Sequence, residues 1–198
     1  MRVDRKTVLL FLMTISLLTP SCAPVAAATS GPVAAAETFD IPNATITYYD
    51  ITGSTASELR AQLDARGPVG YDGYKGDATT DWFIHWNWPG YGSAACDLSA
   101  ATISFDINVI LPRWVPPGSA SPDLIDKWSE YVRLLALHEK GHVDYVLENS
   151  QSIMDAIKGS TCGAADAAGT RILEQFRGHD IDYDAETRHG ATQGAVFP

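Results

Sequence analysis

From Asp123 to Lys158 the chain runs without a proline, and inside that run His138, Glu139 and His142 spell H-E-x-x-H. Ser121-Pro122-Asp123 supplies a cap residue, a proline for the first helical position and an early acid, while Gly159 offers a stop. The spacing predicts one long helix. Its length exceeds that of an ordinary globular helix, so a break is expected within it, with Gly141 as one place for it. Leu134, Leu135, Ala136 and Leu137 lead into the motif, as a helix packed into a core requires.

Residues four apart share a helix face, so His138 and His142 can aim two imidazoles at one metal ion. Glu139 sits about 100° further round, beside the ion rather than on it, where a general base for hydrolysis must stand. Lys140 and Asp144 depart from the uncharged residues that strict versions of the motif prefer. Gly141 costs the helix about 1 kcal/mol against alanine, which a close neighbouring backbone would explain. A catalytic zinc takes three protein ligands and an open position. Glu148 follows His142 by six residues and points roughly 120° away on an unbroken helix. The C-terminal stretch offers His179, Asp184 and His189, with Tyr183 and Arg188 as candidates to steady a developing oxyanion.

The rest of the chain reads as an α+β domain. Thr45–Ile51 is β-branched and aromatic, and residues 80–88 and 101–112 alternate with period two, so a twisted, mainly antiparallel sheet is expected on the long helix. In the second strand Trp82, Ile84, Trp86 and Trp88 share the core face, and His85 takes the other as a structural histidine. Pro112, Pro116 and Pro117 are expected to end strand structure after the third. Thr55 and Glu58 form a capping box before a helix that stops at Gly67-Pro68. Residues 67–79 read as loop, Ala164–Arg177 as a short helix, and the remainder as a polar, irregular tail.

Arg2, Arg5 and Lys6 precede an apolar stretch from Thr7 to Leu18, which reads as a signal peptide over residues 1–28, followed by a linker over 29–40 and one domain over 41–198. The protein is thus expected outside the cytoplasm, secreted or in the cell envelope. Lipidation of Cys22 fits poorly after Thr19-Pro20-Ser21. Export leaves Cys96 and Cys162 as an even pair in an oxidising compartment, expected to be bonded. A net charge of −10 excludes a nucleic-acid footprint, and no membrane span is expected in the mature chain.

"YYDITG", "ELRAQLDARGP", "TDWFIHW", Cys96, "LPRW", the W-S-E-Y leading into "HEKGH", Cys162 and "YDAETRHG" together resemble a bacterial domain-of-unknown-function family described as predicted secreted zinc-dependent proteases. The likeness spans about residues 45–192. Its Tyr-Asp-x-x-Thr-x-His-Gly block falls on Tyr183, Asp184, Thr187, His189 and Gly190, which raises His189 as third ligand with Asp184 next. Motif and resemblance together imply a zincin-like fold and a zinc (Zn2+) metallopeptidase, with His138, His142 and His189 on the metal and Glu139 as base; the protein is expected to be a monomer. Its partner would be a peptide or protein substrate. A zinc-stabilised binding domain without catalysis, or an exported domain without metal, are the competing expectations.

Overall fold

The computed structural model describes residues 38–198; the expected signal peptide, Cys22 and most of the expected linker lie outside them. The elements are β1 (Thr45–Ile51), α1 (Ala56–Arg66), β2 (Thr79–Asn87), β3 (Thr102–Trp114), α2 (Pro122–Asn149), α3 (Gln151–Lys158) and α4 (Ala165–Thr187), with 3₁₀ turns at Leu98–Ala100 and Ala191–Gln193. The class is α+β, as expected. No helix among the described residues is long and apolar enough to cross a membrane.

The sheet is mixed, not mainly antiparallel. Its order is β1-β3-β2, with β1 parallel and β2 antiparallel to the central β3. Alternation in each strand says which face is buried but carries no information about the direction of its neighbour. In β2, Thr80, Trp82 and Ile84 are buried and Phe83 and His85 exposed, so the period-two reading holds. His85 meets Asp106 at 3.0 Å on the solvent face.

Pro112 does not end β3, which continues to Trp114. The β2 ladder stops at Ile110, so beyond it β3 has a partner only on the β1 side, where Pro112 registers with Tyr49. A proline is tolerated where one flank of a strand needs no donor.

Helix α2 starts as expected: Ser121 Oγ accepts from the Leu124 amide at 3.2 Å, with Pro122 in the first turn. The break falls at Ser150 instead of Gly141. There Asn149 Nδ2 donates to the Tyr145 carbonyl and Ser150 Oγ to that of Leu147, side-chain bonds that compete with the helical ladder. At α1 the box is modified. Thr55 Oγ1 accepts from the Glu58 amide at 3.2 Å, but Glu58 reaches back one residue further, to the Ser54 amide at 2.7 Å.

The C-terminal stretch is not an irregular tail. Helix α4 continues ten residues past Arg177 to Thr187, and the chain then returns to the core, where Phe197 packs against Trp128 and Tyr131. Phe176, Asp180, Tyr183, Asp184 and Thr187 recur at helical spacing on one face. That stripe is mostly polar, so a search for apolar periodicity passes over it.

Cys96 and Cys162 are bonded, as expected, across a separation of 66 residues. The link ties the turn after β2 to the turn between α3 and α4. Loop-closure entropy puts its contribution at about 4 kcal/mol, and replacing both cysteines by serine should lower urea-unfolding stability by up to about that amount. A double variant as stable as the parent would show that the covalent link adds nothing to the fold.

Candidate metal centre

Helix α2 presents His138, Glu139 and His142, all buried, toward α4. Facing them, Asp184 places Oδ1 3.0 Å from His138 Nε2 and 3.1 Å from His142 Nε2. His138, His142 and Asp184 each offer one ligand atom, and these atoms all lie within 4.8 Å of one another. Two imidazole nitrogens and a carboxylate oxygen, buried and convergent, are a donor set that suits a divalent ion of the zinc kind.

Each imidazole is held from behind. His138 Nδ1 lies 3.0 Å from Gln193 Oε1, and His142 Nδ1 lies 2.9 Å from Asp180 Oδ1. Both contacts suit a proton on Nδ1, so Nε2, which meets Asp184 here, is the nitrogen that could turn to a metal once deprotonated. Asp180 is itself fixed by the Trp82 indole N–H, which donates to Oδ2 at 2.7 Å. Two residues earlier on β2, Thr80 Oγ1 donates to Glu139 Oε2 at 2.8 Å. Alternate residues of one strand therefore orient the carboxylate of the motif and the carboxylate behind its second histidine.

The geometry explains the glycine inside the motif. A Cβ at Gly141 would stand 2.3 Å from the Tyr183 hydroxyl and 2.8 Å from its Cζ, so it is a side chain, not a neighbouring backbone, that excludes one. Tyr183 stacks on His138 at 5.0 Å between centroids, and its hydroxyl accepts from Gln193 Nε2 at 2.9 Å. That hydroxyl lies against α2, 3.4 Å from the His138 carbonyl. The charged pair that departs from the strict motif faces outward, with Lys140 Nζ 2.6 Å from Asp144 Oδ1.

The expected site residues are thus distributed as follows in space. His138, Glu139, His142 and Asp184 come together. His189 stays outside the group of three: its Nδ1 is 3.6 Å from Asp184 Oδ2, and its ring lies flat on Tyr74. His179 stacks on Tyr145, and Glu148 is exposed on the far side of its turn. Arg188 and His189 line a cavity of about 300 Å³ together with His138, Glu139, His142, Asp184 and the 70–80 segment. Thr80, Asp180 and Gln193 carry no motif of their own. Only the four-residue spacing of Asp180 and Asp184, matching that of the histidines, could have flagged one of them.

The electrostatics are those of a site short of positive charge. Burial opposes ionisation of Asp184, yet hydrogen bonds from His138 and His142 outweigh it and hold the carboxyl well below the usual range. Burial alone would lower the His142 pKa; its contacts with Asp180 and Asp184 reverse the effect and push it up to about 10. Burial raises that of Glu139, against the pull of His142 and His138.

The sequence over residues 46–190 matches the family model described as a bacterial protein of unknown function, DUF922. The chain belongs to the DUF922 family. No curated protein and no solved structure matches it. The DUF922 description assigns no chemistry, so the arrangement of side chains has to carry the functional reading.

Two outcomes follow from this geometry. Gly141→Ala gains helix propensity but should destabilise the protein by about 1–3 kcal/mol in thermal unfolding, through overpacking on Tyr183; an unchanged melting temperature would mean that Tyr183 yields freely. Because, against burial, contacts with Asp180 and Asp184 raise the His142 pKa in the metal-free protein, metal uptake near pH 7 should release protons and weaken as pH falls. Calorimetry in buffers of different ionisation enthalpy reads this directly, and uptake with no proton exchange would contradict it.

Proposed function

We propose that the protein is an exported zinc-dependent peptidase. The observation that carries the reading is the buried Glu139 beside His138, His142 and Asp184, at the wall of a cavity that reaches the same four residues. The disulfide supports an oxidising compartment. Bound to this donor set, zinc would supply Lewis acidity, drawing the pKa of a water toward ~7 and polarising a substrate carbonyl.

The chain's own residues do the rest. His138 and His142 would hold the ion through Nε2, their other nitrogens engaged by Gln193 and Asp180. Asp184 would complete the set of three protein ligands, as a catalytic zinc requires. Thr80 engages Oε2 of Glu139 and so aims Oε1. Glu139 takes a proton from water as the water oxygen bonds to the carbonyl carbon. The same carboxyl then gives that proton to the leaving nitrogen as the C–N bond breaks, yielding a carboxylic acid and an amine. Burial raises its pKa, which favours accepting the proton from water.

Tyr183 is engaged by α2 and Gln193, which leaves Arg188 as the candidate for the oxyanion. Arg188 lines the cavity, and its side chain makes no hydrogen bond or ion pair among the described residues. The substrate is a peptide or protein.

The test uses purified mature protein, zinc content by elemental analysis, and a quenched-fluorescent peptide library. Glu139→Gln should keep its zinc and lose about 10²–10⁴-fold in turnover, whereas Asp184→Ala should lose metal and activity together. Full turnover in Glu139→Gln would refute the peptidase. A zinc-bearing wild type that cleaves nothing would favour the binding-domain reading, in which the ion ties α4 to α2.

A further inference from the structure

His189 raises a question that the proposed chemistry leaves unanswered. It lies beside the metal centre yet outside its ligand set. Arg188 and His189 both have φ of 51°, followed by Gly190 at 82°. Two successive non-glycine residues in the left-handed region are held there only when their surroundings require it, and such strain clusters at functional sites. Gly190 has to lack a side chain, since a Cβ would come within 3.0 Å of the His138 ring.

The strained turn delivers His189 to one place. Its backbone N–H donates to the Asp184 carbonyl at 2.9 Å, and its side-chain Nδ1 stands 3.6 Å from Asp184 Oδ2. That is the carboxylate oxygen turned away from His138 and His142, both of which contact Oδ1. From the other side Tyr74 covers the imidazole, with centroids 3.7 Å apart and planes within 2° of parallel. Tyr74 belongs to the glycine-rich segment 67–78 that walls the cavity, and this segment is itself pinned to α4, where the Tyr71 hydroxyl donates to the Arg177 carbonyl at 2.8 Å.

His138 has Gln193 behind it, His142 has Asp180 and Glu139 has Thr80. Asp184 lacks an equivalent partner unless His189 fills that position. We infer that His189 is the positioning residue for the metal ligand Asp184, and that Tyr74 clamps it there, so that the 67–78 segment and the ligand set are mechanically coupled. A neutral imidazole carrying its proton on Nδ1 suffices: it presents an N–H to Oδ2 and holds Oδ1 toward the histidines. A movement of a few tenths of an ångström brings the pair to hydrogen-bond distance. Outer partners of this kind are worth about 10–100-fold in metal affinity.

The inference rests on the metal reading above, and its test separates the two. Zinc affinity of the mature protein is measured by competition with a chromophoric chelator, independent of any activity. His189→Ala should bind zinc ~10–100-fold more weakly than wild type, and Asp184→Ala more weakly still. His189→Asn should restore affinity to within about threefold, because its amide N–H occupies the Nδ1 position and asparagine accepts a left-handed backbone.

Tyr74→Phe keeps the stacked ring and should match wild type, while Tyr74→Ala should show part of the His189→Ala loss. The Tyr74→Ala, His189→Ala double variant should be no weaker than His189→Ala alone. Wild-type affinity in His189→Ala would overturn the inference and leave the metal reading intact. A loss as deep as that of Asp184→Ala, unrescued by asparagine, would overturn it by making His189 a ligand. Absence of zinc binding in folded wild type would overturn both.

Discussion

The contact between the His138–His142 pair on α2 and the Asp180–Asp184 pair on α4 is the interaction around which the molecule is arranged. Each pair has its members four residues apart, so each helix turns two side chains to one face and the two faces oppose. Charged and polar groups removed from water are tolerated only when they are matched, and here the matching is nearly complete. His142 contacts both aspartates, Asp180 also receives the Trp82 indole, and Glu139 receives the Thr80 hydroxyl. Breaking one partner leaves a buried charge without compensation, which gives the cluster its energetic weight.

Much of the remaining architecture serves that contact. Helix α4 approaches α2 closely because Gly141 leaves room for the Tyr183 ring, which braces His138 and bonds to Gln193. Gly190 leaves room on the other flank of His138. The C-terminal return carries Gln193 to His138 and buries Phe197 among Trp128 and Tyr131, so the last residues of the chain lock a residue in its middle. Strand β2 feeds Thr80 and Trp82 into the cluster on one face while its other face stays in solvent. The disulfide holds the β2 end of the sheet to the start of α4.

Legibility in the sequence followed the range of the interaction. The α1 and α2 caps, the two faces of β2 and the pairing of two cysteines depend on neighbours in the chain or on simple counting, and they read directly. The α4 continuation did not, because Asp180, Asp184 and Thr187 look like surface residues until α2 stands opposite them. Pro112 looked like a terminator because its tolerance depends on where β2 stops pairing. Gly141 looked like a hinge because the ring that needs its space comes from 42 positions downstream.

By itself, then, the sequence determined that His138 and His142 face one way with Glu139 beside them, since that follows from the pitch of a helix. It also determined the strand faces and, through the cysteines, one long-range link. Tertiary structure alone decided that Asp184 and not His189 completes the convergent group. It likewise decided that the sheet is mixed and that Gln193, Asp180 and Thr80 stand behind the site. Side-chain directions within one element are set by local backbone geometry, whereas which of Asp184, His179 and His189 meets the two histidines turns on how α4 and the left-handed turn after it dock on α2.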